Sequence, residues 1–324
     1  MENFKNKEIL LIGAGPMAVS HAQVLKGMNL SFKVVGRGEE SAKLFYDQTN
    51  INVIKGGIEN WLSENEDYPE YAIVAATGTQ LGKVTRILIE HGINKILLEK
   101  PGGLDYDDIR SVSEIGKKYN ANVLLGYNRR FYSSVIKAKE IILDDGGVTS
   151  FFFEFTEWPH TIVPLKKDIE EKKRWVLHNS SHVIDLAFYL GGEPKEIISY
   201  VKGGFNWHPD GTIFTGAGVS RNGALFSYHS NWDAPGRWGI EILTQKHRLF
   251  FRPLEKLHIQ ELKSVAINEV KIEYELDFKY KPGLYRQLKA FLEDDSSNFI
   301  NIHQQASRLD IIETISRGGS LIKN

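Results

Sequence analysis

The chain has 324 residues, of which 42% are hydrophobic and 25% charged, and its formal net charge is −1. This length favours about two domains. The near-neutral charge excludes a basic nucleic-acid footprint, and the absence of cysteine excludes disulfides, thiolate metal sites and cysteine nucleophiles. The opening segment is polar, its first apolar run is too short for a signal-peptide core, and no stretch is long enough to span a membrane. We therefore expect a cytoplasmic protein with no nucleic-acid or membrane partner.

The first 126 residues alternate short apolar runs with amphipathic segments, which is typical of a doubly wound parallel sheet in the α/β class. Helices are predicted by their periodicity and by their end signals, such as Asp105 as an N-cap and Gly92 as a stop. The predicted strands are residues 9–12, 32–35, 51–54, 71–76, 96–98 and 123–125. The predicted helices are residues 17–26, 39–48, 81–91 and 105–119.

After Gly126 the composition shifts to aromatic strands separated by Gly, Asn and Asp turns. This pattern predicts a C-terminal α+β domain built on a mostly antiparallel open sheet. The domain boundary is expected between residues 126 and 127, giving domains 1–126 and 127–324. The predicted strands are residues 151–156, 196–202, 213–220, 224–232, 239–244, 248–252 and 271–276. The predicted helices are residues 131–143, 283–293 and 303–318.

A glycine-rich turn follows the first strand and opens the first helix, with the sequence GAGPMA at residues 13–18. The first glycine permits the tight turn, the second allows close approach of a pyrophosphate, and the alanine packs the helix near the strand. The free N–H groups at the helix start favour phosphate. The pattern predicts a dinucleotide-binding Rossmann domain; the alternative is a glycine-rich turn without a ligand. The predicted cofactor contacts here are Gly13, Gly15, Pro16, Met17 and Ala18.

The end of the second strand is expected to read the cofactor ribose. It carries Gly36 and Arg37 where an NAD-preferring site usually has a carboxylate. Arg37 is suited to a 2′-phosphate, and Ser41 could assist. Glu39 and Glu40 follow two or three residues later than the usual ribose-binding carboxylate, which complicates the assignment. NADP is therefore expected to be preferred over NAD, although Arg37 could instead stack on the adenine with both cofactors binding.

Two more segments follow predicted strands at the same sheet edge, where open α/β sheets bind ligands. Thr77 and Gly78 could admit the cofactor, or form an ordinary turn with Thr79 as N-cap. The second segment is Glu99, Lys100 and Pro101. A lysine there could donate a proton to a carbonyl or hold a hydroxyl, and a buried lysine readily shifts its pKa. Lys100 is thus a predicted catalytic residue, against the alternative of a solvated charge.

A polar stripe is predicted on a later helix, since His178, His182, Asp185 and Tyr189 are spaced by four, three and four residues. A histidine can take a hydroxyl proton at neutral pH, with a carboxylate fixing its tautomer. We therefore predict His178, His182 and Asp185 as catalytic. His182 could instead be a buried structural histidine, or the three residues could bind zinc. No metal is expected.

These motifs resemble the Gfo/Idh/MocA family of oxidoreductases, and the resemblance runs nearly end to end. It rests on the GAGPMA turn, Glu99-Lys100-Pro101, the segment GYNRRF at residues 126–131 and the segment HNSSHVIDLAFYLGG at residues 178–192. The family implies a catalytic, substrate-contacting role for Lys100 and an acid–base role for His182. The chain departs from the family where His178 replaces an aspartate, Ser180 a glycine, and Thr77-Gly78-Thr79 a Thr-Pro-Asn loop.

The resemblance implies hydride transfer between nicotinamide and a carbinol or ketone carbon of a sugar, polyol or nucleotide sugar. The alternative is a catalytically silent NAD(P)- or sugar-sensing protein of the same fold. The second domain would bind substrate and form a homodimer or homotetramer. Five tryptophans lie there, and aromatic rings stack on sugar faces; they are Trp158, Trp175, Trp207, Trp232 and Trp238. Asn128 is expected to contact the cofactor. Besides Lys100 and the two histidines, the residues expected to contact the substrate are Tyr127, Arg129, Trp175, Asn179 and Trp207.

Overall fold

The computed structural model describes residues 7–323, so the polar opening segment lies almost wholly outside it. The chain forms two compact units. The first contains the residues up to Asn128 together with Glu275–Ser307, and the second contains Arg129–Tyr274 and Arg308–Asn324. The chain first passes from one unit to the other after Asn128, within two residues of the predicted boundary. The C-terminal half, however, is shared between the units and is not a single domain.

The first unit is built on a five-stranded parallel sheet in the order β2-β1-β3-β4-β5. The inner strands β1 and β3 are buried throughout, which explains their unbroken apolar sequences. Their bounds are β1 Ile9–Ile12, β2 Phe32–Val35, β3 Tyr71–Val74, β4 Lys95–Leu98 and β5 Asn122–Leu125. The parallel Rossmann-type sheet predicted from the sequence is confirmed.

The predicted strand at residues 51–54 is wrong. Asn50 ends the preceding helix in a left-handed conformation, and the chain forms a single bridge between Ile54 and Val35. Gly56 and Gly57, both with positive φ, then turn it into a helix. Of residues 51–54, Ile54 alone pairs with β2, donating its N–H to the Val34 carbonyl and accepting from the Gly36 N–H.

Five helices flank this sheet, and α10 and α11 join the unit from the C-terminal half. The Asp105 side chain accepts a hydrogen bond from the Asp108 N–H at 2.9 Å, so its predicted N-cap role is confirmed. The helices are α1 Pro16–Gly27, α2 Glu39–Thr49, α3 Gly57–Glu64, α4 Gly78–Glu90, α5 Tyr106–Lys118, α10 Glu275–Lys279 and α11 Leu284–Leu292.

The returning segment is held by burial and by polar contacts. Phe291 of α11 packs edge-on against Tyr71 with ring centroids 5.6 Å apart. The Tyr71 hydroxyl donates to Asp294, and the Leu125 N–H donates to the Ile300 carbonyl at 2.9 Å. The apolar side of α11 is therefore part of the first unit's core, which sequence periodicity alone does not assign to either unit.

The second unit contains a nine-stranded sheet in the order β13-β12-β11-β10-β6-β9-β8-β7-β14. The β6–β9 pair is parallel and the other pairs are antiparallel, so the predicted mostly antiparallel sheet is confirmed. The strands are β6 Ser150–Glu154, β7 Pro194–Lys202, β8 Ile213–Ser220, β9 Leu225–Asn231, β10 Gly239–Leu243, β11 His247–Phe251, β12 His258–Glu261, β13 Asn268–Glu269 and β14 Gly319–Ile322.

Helix α9, Ser181–Gly191, packs on this sheet through an aromatic core. Phe188 of α9 meets Phe151 and Phe153 of β6 edge-on, with ring centroids 6.1 and 5.4 Å apart. The other helices are α6 Ser133–Asp144, α7 Pro159–Ile162, α8 Ile169–Lys173 and α12 Ile302–Arg317; residues 302–307 of α12 belong to the first unit. None of the helices among residues 7–323 is both long and apolar enough to cross a membrane.

Three parts of the prediction for this half need correction. Residues 271–274 form no strand, and the chain enters α10 at Glu275. Strands β12, β13 and β14 were not predicted, because they are short and largely exposed and so lack an apolar alternation. The predicted helix at residues 131–143 begins at Ser133, after a 3₁₀ turn at Asn128–Phe131.

Candidate active site

The carboxyl ends of three adjacent parallel strands coincide in the first unit. Ile12 pairs with Val74, and Val74 pairs with Leu98, so the residues that follow emerge at one edge. Gly13 has φ +120°, and an added Cβ would collide with the Ala75 carbonyl. Its N–H donates to the Val35 carbonyl at 2.9 Å. Glycine is therefore required at this turn by both backbone conformation and space.

Gly15 is the N-cap residue of α1, and no heavy atom lies within 4 Å of a Cβ added to it. Pro16 occupies the first helical position and is exposed, Met17 is half-buried, and Ala18 is buried against the strand. A helix start offers N–H groups without intrahelical partners and the positive end of the helix dipole. Together with the open space above Gly15, this arrangement fits a dinucleotide pyrophosphate.

The end of β2 carries a three-residue charge cluster that the sequence pattern did not predict. Arg37 contacts both Glu59 carboxylate oxygens, at 2.5 and 2.6 Å, and Lys83 lies 2.9 Å from the same carboxylate. These hydrogen bonds lower the pKa of Glu59 to about 2. Gly36 donates its N–H to the Ile54 carbonyl, and the Ser41 hydroxyl donates to the Gly38 carbonyl. Arg37 is thus positioned at the strand end as predicted, but it already has an anionic partner.

The loop after β3 forms the start of α4. Thr77 is the N-cap residue and Gly78 the first helical residue, so the predicted N-cap at Thr79 is wrong. The two threonine hydroxyls lie 3.1 Å apart. Because the sequence lacks an apolar residue before Leu81, periodicity placed the helix start three residues too late.

Glu99 and Lys100 follow β4 and have different environments. Glu99 is 8% exposed, and its carboxylate lies 2.9 Å from Nε2 of the buried His21 in α1. Lys100 is half-buried and precedes Pro101, whose carbonyl accepts a hydrogen bond from Gln305 at 3.1 Å. The contacts of Glu99 are those of a residue that fixes the strand end, whereas Lys100 is more accessible.

The residues after β5 are more enclosed than expected for ligand contacts. Tyr127 is 1% exposed, and its hydroxyl accepts from Gln305 at 3.1 Å. The Asn128 amide is also buried and donates to the Pro282 carbonyl at 2.9 Å. These contacts favour packing roles for both residues over the predicted substrate and cofactor contacts.

In the second unit the predicted histidine helix begins with a π-helical turn, Val176–Ser180, and continues as α9. Such turns disrupt the 3.6-residue period and are frequent at functional sites. His178 lies within this turn and His182 follows it in α9, so a uniform 3.6-residue spacing does not describe the two histidines together. They are 7% and 8% exposed.

Asp185 does not act as the expected partner that orients a histidine. Arg130 binds both of its oxygens, at 2.8 and 2.6 Å, and Arg308 binds one of them at 2.6 Å. Arg308 also contacts Glu193, at 2.9 Å. Asp185 thus joins three parts of the second unit. Within residues 7–323, no group of three or more His, Asp or Glu side chains is arranged to hold a metal ion.

A buried carboxyl, Glu157, lies against the π-helical turn. It accepts hydrogen bonds from the Asn179 amide at 3.0 Å and from the Ser180 hydroxyl at 2.8 Å. Burial raises the pKa of Glu157, opposed by these hydrogen bonds. Asn179 was predicted to contact substrate, but its amide is committed to Glu157. Trp175, predicted likewise, is 4% exposed just before the turn.

His182 has a ring contact with Trp238, which is not one of the two tryptophans predicted to contact substrate. The His182 and Trp238 ring centroids are 6.3 Å apart. Trp207 instead stacks between Phe205 and Trp232, at 5.5 and 6.0 Å, in the loop between β7 and β8. These contacts favour a packing role for Trp207 over the predicted substrate contact.

Arg129, predicted from the resemblance to contact substrate, lies with its guanidinium 4.9 Å from the Trp238 ring. Arg237, which immediately precedes Trp238 in the chain, has its guanidinium 4.9 Å from the same ring and 4.5 Å from the Trp158 ring. Sequence reasoning missed Arg237, Glu157 and Glu59. The available signals were an arginine–tryptophan pair between two glycines at residues 236–239, and a glutamate within an aromatic strand segment.

Comparison with known proteins agrees with this architecture. Residues 7–127 match the GFO_IDH_MocA group, described as an oxidoreductase family with an NAD-binding Rossmann fold. An uncharacterized oxidoreductase of Streptococcus pneumoniae serotype 4 is 30% identical over 132 residues, which cover 39% of this chain and 35% of that protein. The chain therefore matches about a third of that relative's length.

Solved structures resemble the whole chain. An oxidoreductase from Agrobacterium radiobacter, in complex with NAD⁺, L-tartaric acid and magnesium, has a TM-score of 0.75 at 14% identity, covering 98% of both chains. UDP-N-acetylglucosamine 3-dehydrogenase from Acidithiobacillus ferrooxidans has a TM-score of 0.72 at 16% identity, covering 95% of this chain and 96% of its own. At these identities the likeness concerns the fold. Residues 7–127 thus match the Gfo/Idh/MocA oxidoreductase family, and the solved structures extend the likeness of fold to the whole chain.

Proposed function

We propose that this protein is an NAD(P)-dependent oxidoreductase acting on a carbinol or ketone carbon of a sugar, polyol or nucleotide sugar. The observation that carries the proposal is the shared edge of β1, β3 and β4. There the open turn at Gly15, the α4 start at Gly78 and the half-buried Lys100 follow strands that pair in register. This is the edge at which open α/β sheets bind nucleotide cofactors. The similar solved structures from other organisms, one with bound NAD⁺ and one named as a nucleotide-sugar dehydrogenase, support the same reaction class.

The chain's own residues divide the work as follows. Gly13 and Gly15 allow the backbone to approach the pyrophosphate, and the α1 N-terminus binds it. A bound nicotinamide would supply or accept the hydride. Lys100 Nζ holds the reacting oxygen and transfers its proton, and the His182 imidazole is the second acid–base group. Asp185 is a structural residue of α9 in this scheme, because both of its oxygens are bound by arginine.

The preferred cofactor in this proposal is NADP, with NAD also accepted. Arg37 and Lys83 offer two positive charges beside the position expected for the ribose. Glu59 limits this preference, since its ionised carboxylate competes with a 2′-phosphate for both cations. The cluster is exposed, and its side chains can rearrange when a phosphate binds.

The alternative is a catalytically silent sensor of the same fold. The engagement of Asp185 by Arg130 and Arg308 favours it, since the carboxylate expected to orient the imidazole serves another purpose. Turnover distinguishes the two. The chain would be assayed by nicotinamide absorbance with NADP(H) and NAD(H) against polyols, free sugars, keto-sugars and nucleotide sugars.

The decisive variant is Lys100→Ala, with Lys118→Ala, an exposed lysine of α5, as the control. Loss of a positioned acid–base group is expected to reduce kcat by about 10²–10⁴-fold, with little change in cofactor affinity. An equal loss of cofactor affinity would make Lys100 a cofactor ligand. Tight cofactor binding without turnover on any substrate would favour the sensor.

Self-association is also expected, through the solvent-facing side of the second unit's sheet. Ile198 and Tyr200 of β7 are 44% and 64% exposed, and Leu225 of β9 is 61% exposed. Exposed apolar clusters of this kind favour an interface. A molar mass measured by light scattering should correspond to two or four chains; a monomeric mass at micromolar concentration would contradict this.

A further inference from the structure

The second unit contains a cavity of about 280 Å³ lined by three arginines. Trp238 forms part of its wall and lies beside His182, which connects the cavity to the candidate catalytic group. The remaining lining residues are Arg129, Arg237, Arg252, Pro253, Leu254 and Glu255. The lining thus combines charged and apolar side chains, as expected for a ligand site with a few orienting groups.

Two of the arginines lie against the same indole. The Arg129 and Arg237 guanidinium carbons are each 4.9 Å from the Trp238 ring. Stacking on an aromatic face fixes the plane of a guanidinium while leaving its N–H edge available for hydrogen bonds. Both groups are thus oriented before any ligand arrives, which lowers the entropic cost of binding.

The charges around the cavity are unevenly compensated. Arg252 is paired with Glu154 at 2.7 Å. Arg237 lies 3.7 Å from the buried Glu157, which is too far for a direct hydrogen bond. Among residues 7–323, Arg129 forms no ion pair, and the exposed Glu255 is the remaining acidic residue of the lining.

Two donors at the cavity also lack an acceptor within the described part of the chain. They are Nε of Arg129 and Nε1 of Trp238, both inaccessible to solvent, and Trp238 as a whole is 7% exposed. A buried N–H without an acceptor costs free energy, and ligand sites are where such donors are retained. A bound oxyanion would accept from both an arginine fork and the indole.

We propose that Arg129, Arg237 and Trp238 form an oxyanion subsite, and that the substrate is an acidic sugar derivative bearing a carboxylate or a phosphate. The inference rests on the proposed function, because His182 is its link to the reacting carbon. A carboxylate and a phosphate have the same hydrogen-bonding chemistry here. The subsite would hold the charged substituent and present the rest of the molecule to His182.

The test is binding, measured by calorimetry without turnover, so that it stands apart from a failure of catalysis. The probes are D-glucose, D-glucuronate, glucose 6-phosphate and UDP-glucose, which share a sugar ring and differ in charge. At least one charged probe should bind about tenfold or more tightly than glucose, and added salt should weaken it. Which one does so distinguishes carboxylate, phosphate and diphosphate.

Arg129→Ala should abolish the difference between charged and neutral probes, and Arg129→Lys should restore part of it. Arg237→Ala should weaken charged probes alone, and Glu255→Gln should tighten them by removing a like charge. Arg248→Ala is the matched control, since this arginine of β11 pairs with Glu241 outside the cavity lining. Equal or absent binding of charged and neutral probes, or an unchanged preference in folded Arg129→Ala protein, would overturn the proposal.

Discussion

Each unit holds a carboxylate between two cations, and burial separates the two arrangements. In the first unit, the side chains of Glu59, Arg37 and Lys83 are 36%, 51% and 52% exposed. In the second, Asp185 and Arg130 are only 5% and 4% exposed. An exposed cluster contributes little to stability and can exchange partners, whereas a buried one is fixed because each charge depends on the others. One carboxylate with two cations is thus suited to ligand exchange in the first unit and to structural support in the second.

The largest effect is expected for Asp185→Asn. Neutralising this carboxylate leaves Arg130 buried without its counter-ion, which should lower the free energy of unfolding by about 3–5 kcal/mol. Glu59→Gln, the matched change in the exposed cluster, should lower it by less than about 1 kcal/mol. Denaturant unfolding of both variants measures the contrast. A stable Asp185→Asn protein with greatly reduced kcat would restore the catalytic role that sequence spacing suggested.

An intermediate effect is expected for Glu157→Gln, because Glu157 is buried beside an amide, a hydroxyl and a single arginine, Arg237 at 3.7 Å. Burial raises its pKa above the usual 4.5, so its contribution to stability is complete below that pH and is lost as pH rises through the folded value. The variant should gain stability relative to the wild type with rising pH, by about 1.4 kcal/mol per unit of pKa shift.

Thermal melts of both proteins across the acidic to neutral range test this, with the exposed Glu170→Gln as the control. The pKa of Glu170 is lowered by hydrogen bonds from Lys173 and Arg174, so its trend runs in the opposite direction. If the wild type instead gained stability relative to Glu157→Gln as pH rises, the hydrogen bonds to the ionised carboxylate would outweigh burial.

Changes in the exposed cluster of Glu59, Arg37 and Lys83 are expected to have the smallest effect on stability. They should nevertheless alter the preference between NADP and NAD. Glu59→Gln should raise the ratio of kcat/KM for NADP to that for NAD by about tenfold, because Arg37 and Lys83 lose their competing anion. Arg37→Ala should lower the same ratio. Glu39→Gln, which removes a nearby exposed partner of Lys55, should leave it unchanged. A loss of NAD affinity in Glu59→Gln would instead identify Glu59 as a ribose ligand and NAD as the preferred cofactor.

The sequence predicted the parallel sheet and the pyrophosphate turn because both depend on local patterns. A buried strand is a short apolar run, and the turn at Gly13 requires a residue without a Cβ. The role of Asp185 was beyond such reasoning, since its partners Arg130 and Arg308 lie 55 and 123 residues away in the chain. Asp185 lies three residues after His182, which suggested that the two interact. The hydrogen bonds of Asp185 are instead made with residues distant in the chain.

The candidate site was predicted in part for the same reason. Lys100 and His182 were identified from their motifs, and Arg129 from the family resemblance. Arg237 and Trp238 lie in a loop between β9 and β10. That loop lies beside Glu154, the last residue of β6, because β6 and β10 are neighbours in the sheet. A loop residue whose significance depends on strand order has no local signature. The π-helical turn at Val176–Ser180 was likewise invisible to a 3.6-residue period.

The return of Glu275–Ser307 to the first unit has a consequence for biosynthesis. Asp294, which accepts from the Tyr71 hydroxyl, and Ile300, whose carbonyl accepts from the edge strand β5, both belong to this late segment. A ribosome must therefore synthesise most of the chain before the nucleotide-binding half can complete its core, which departs from the usual order in which an N-terminal domain folds first. A fragment released after residue 128 would expose the apolar surface that α11 covers, and cellular quality control would treat it as unfinished.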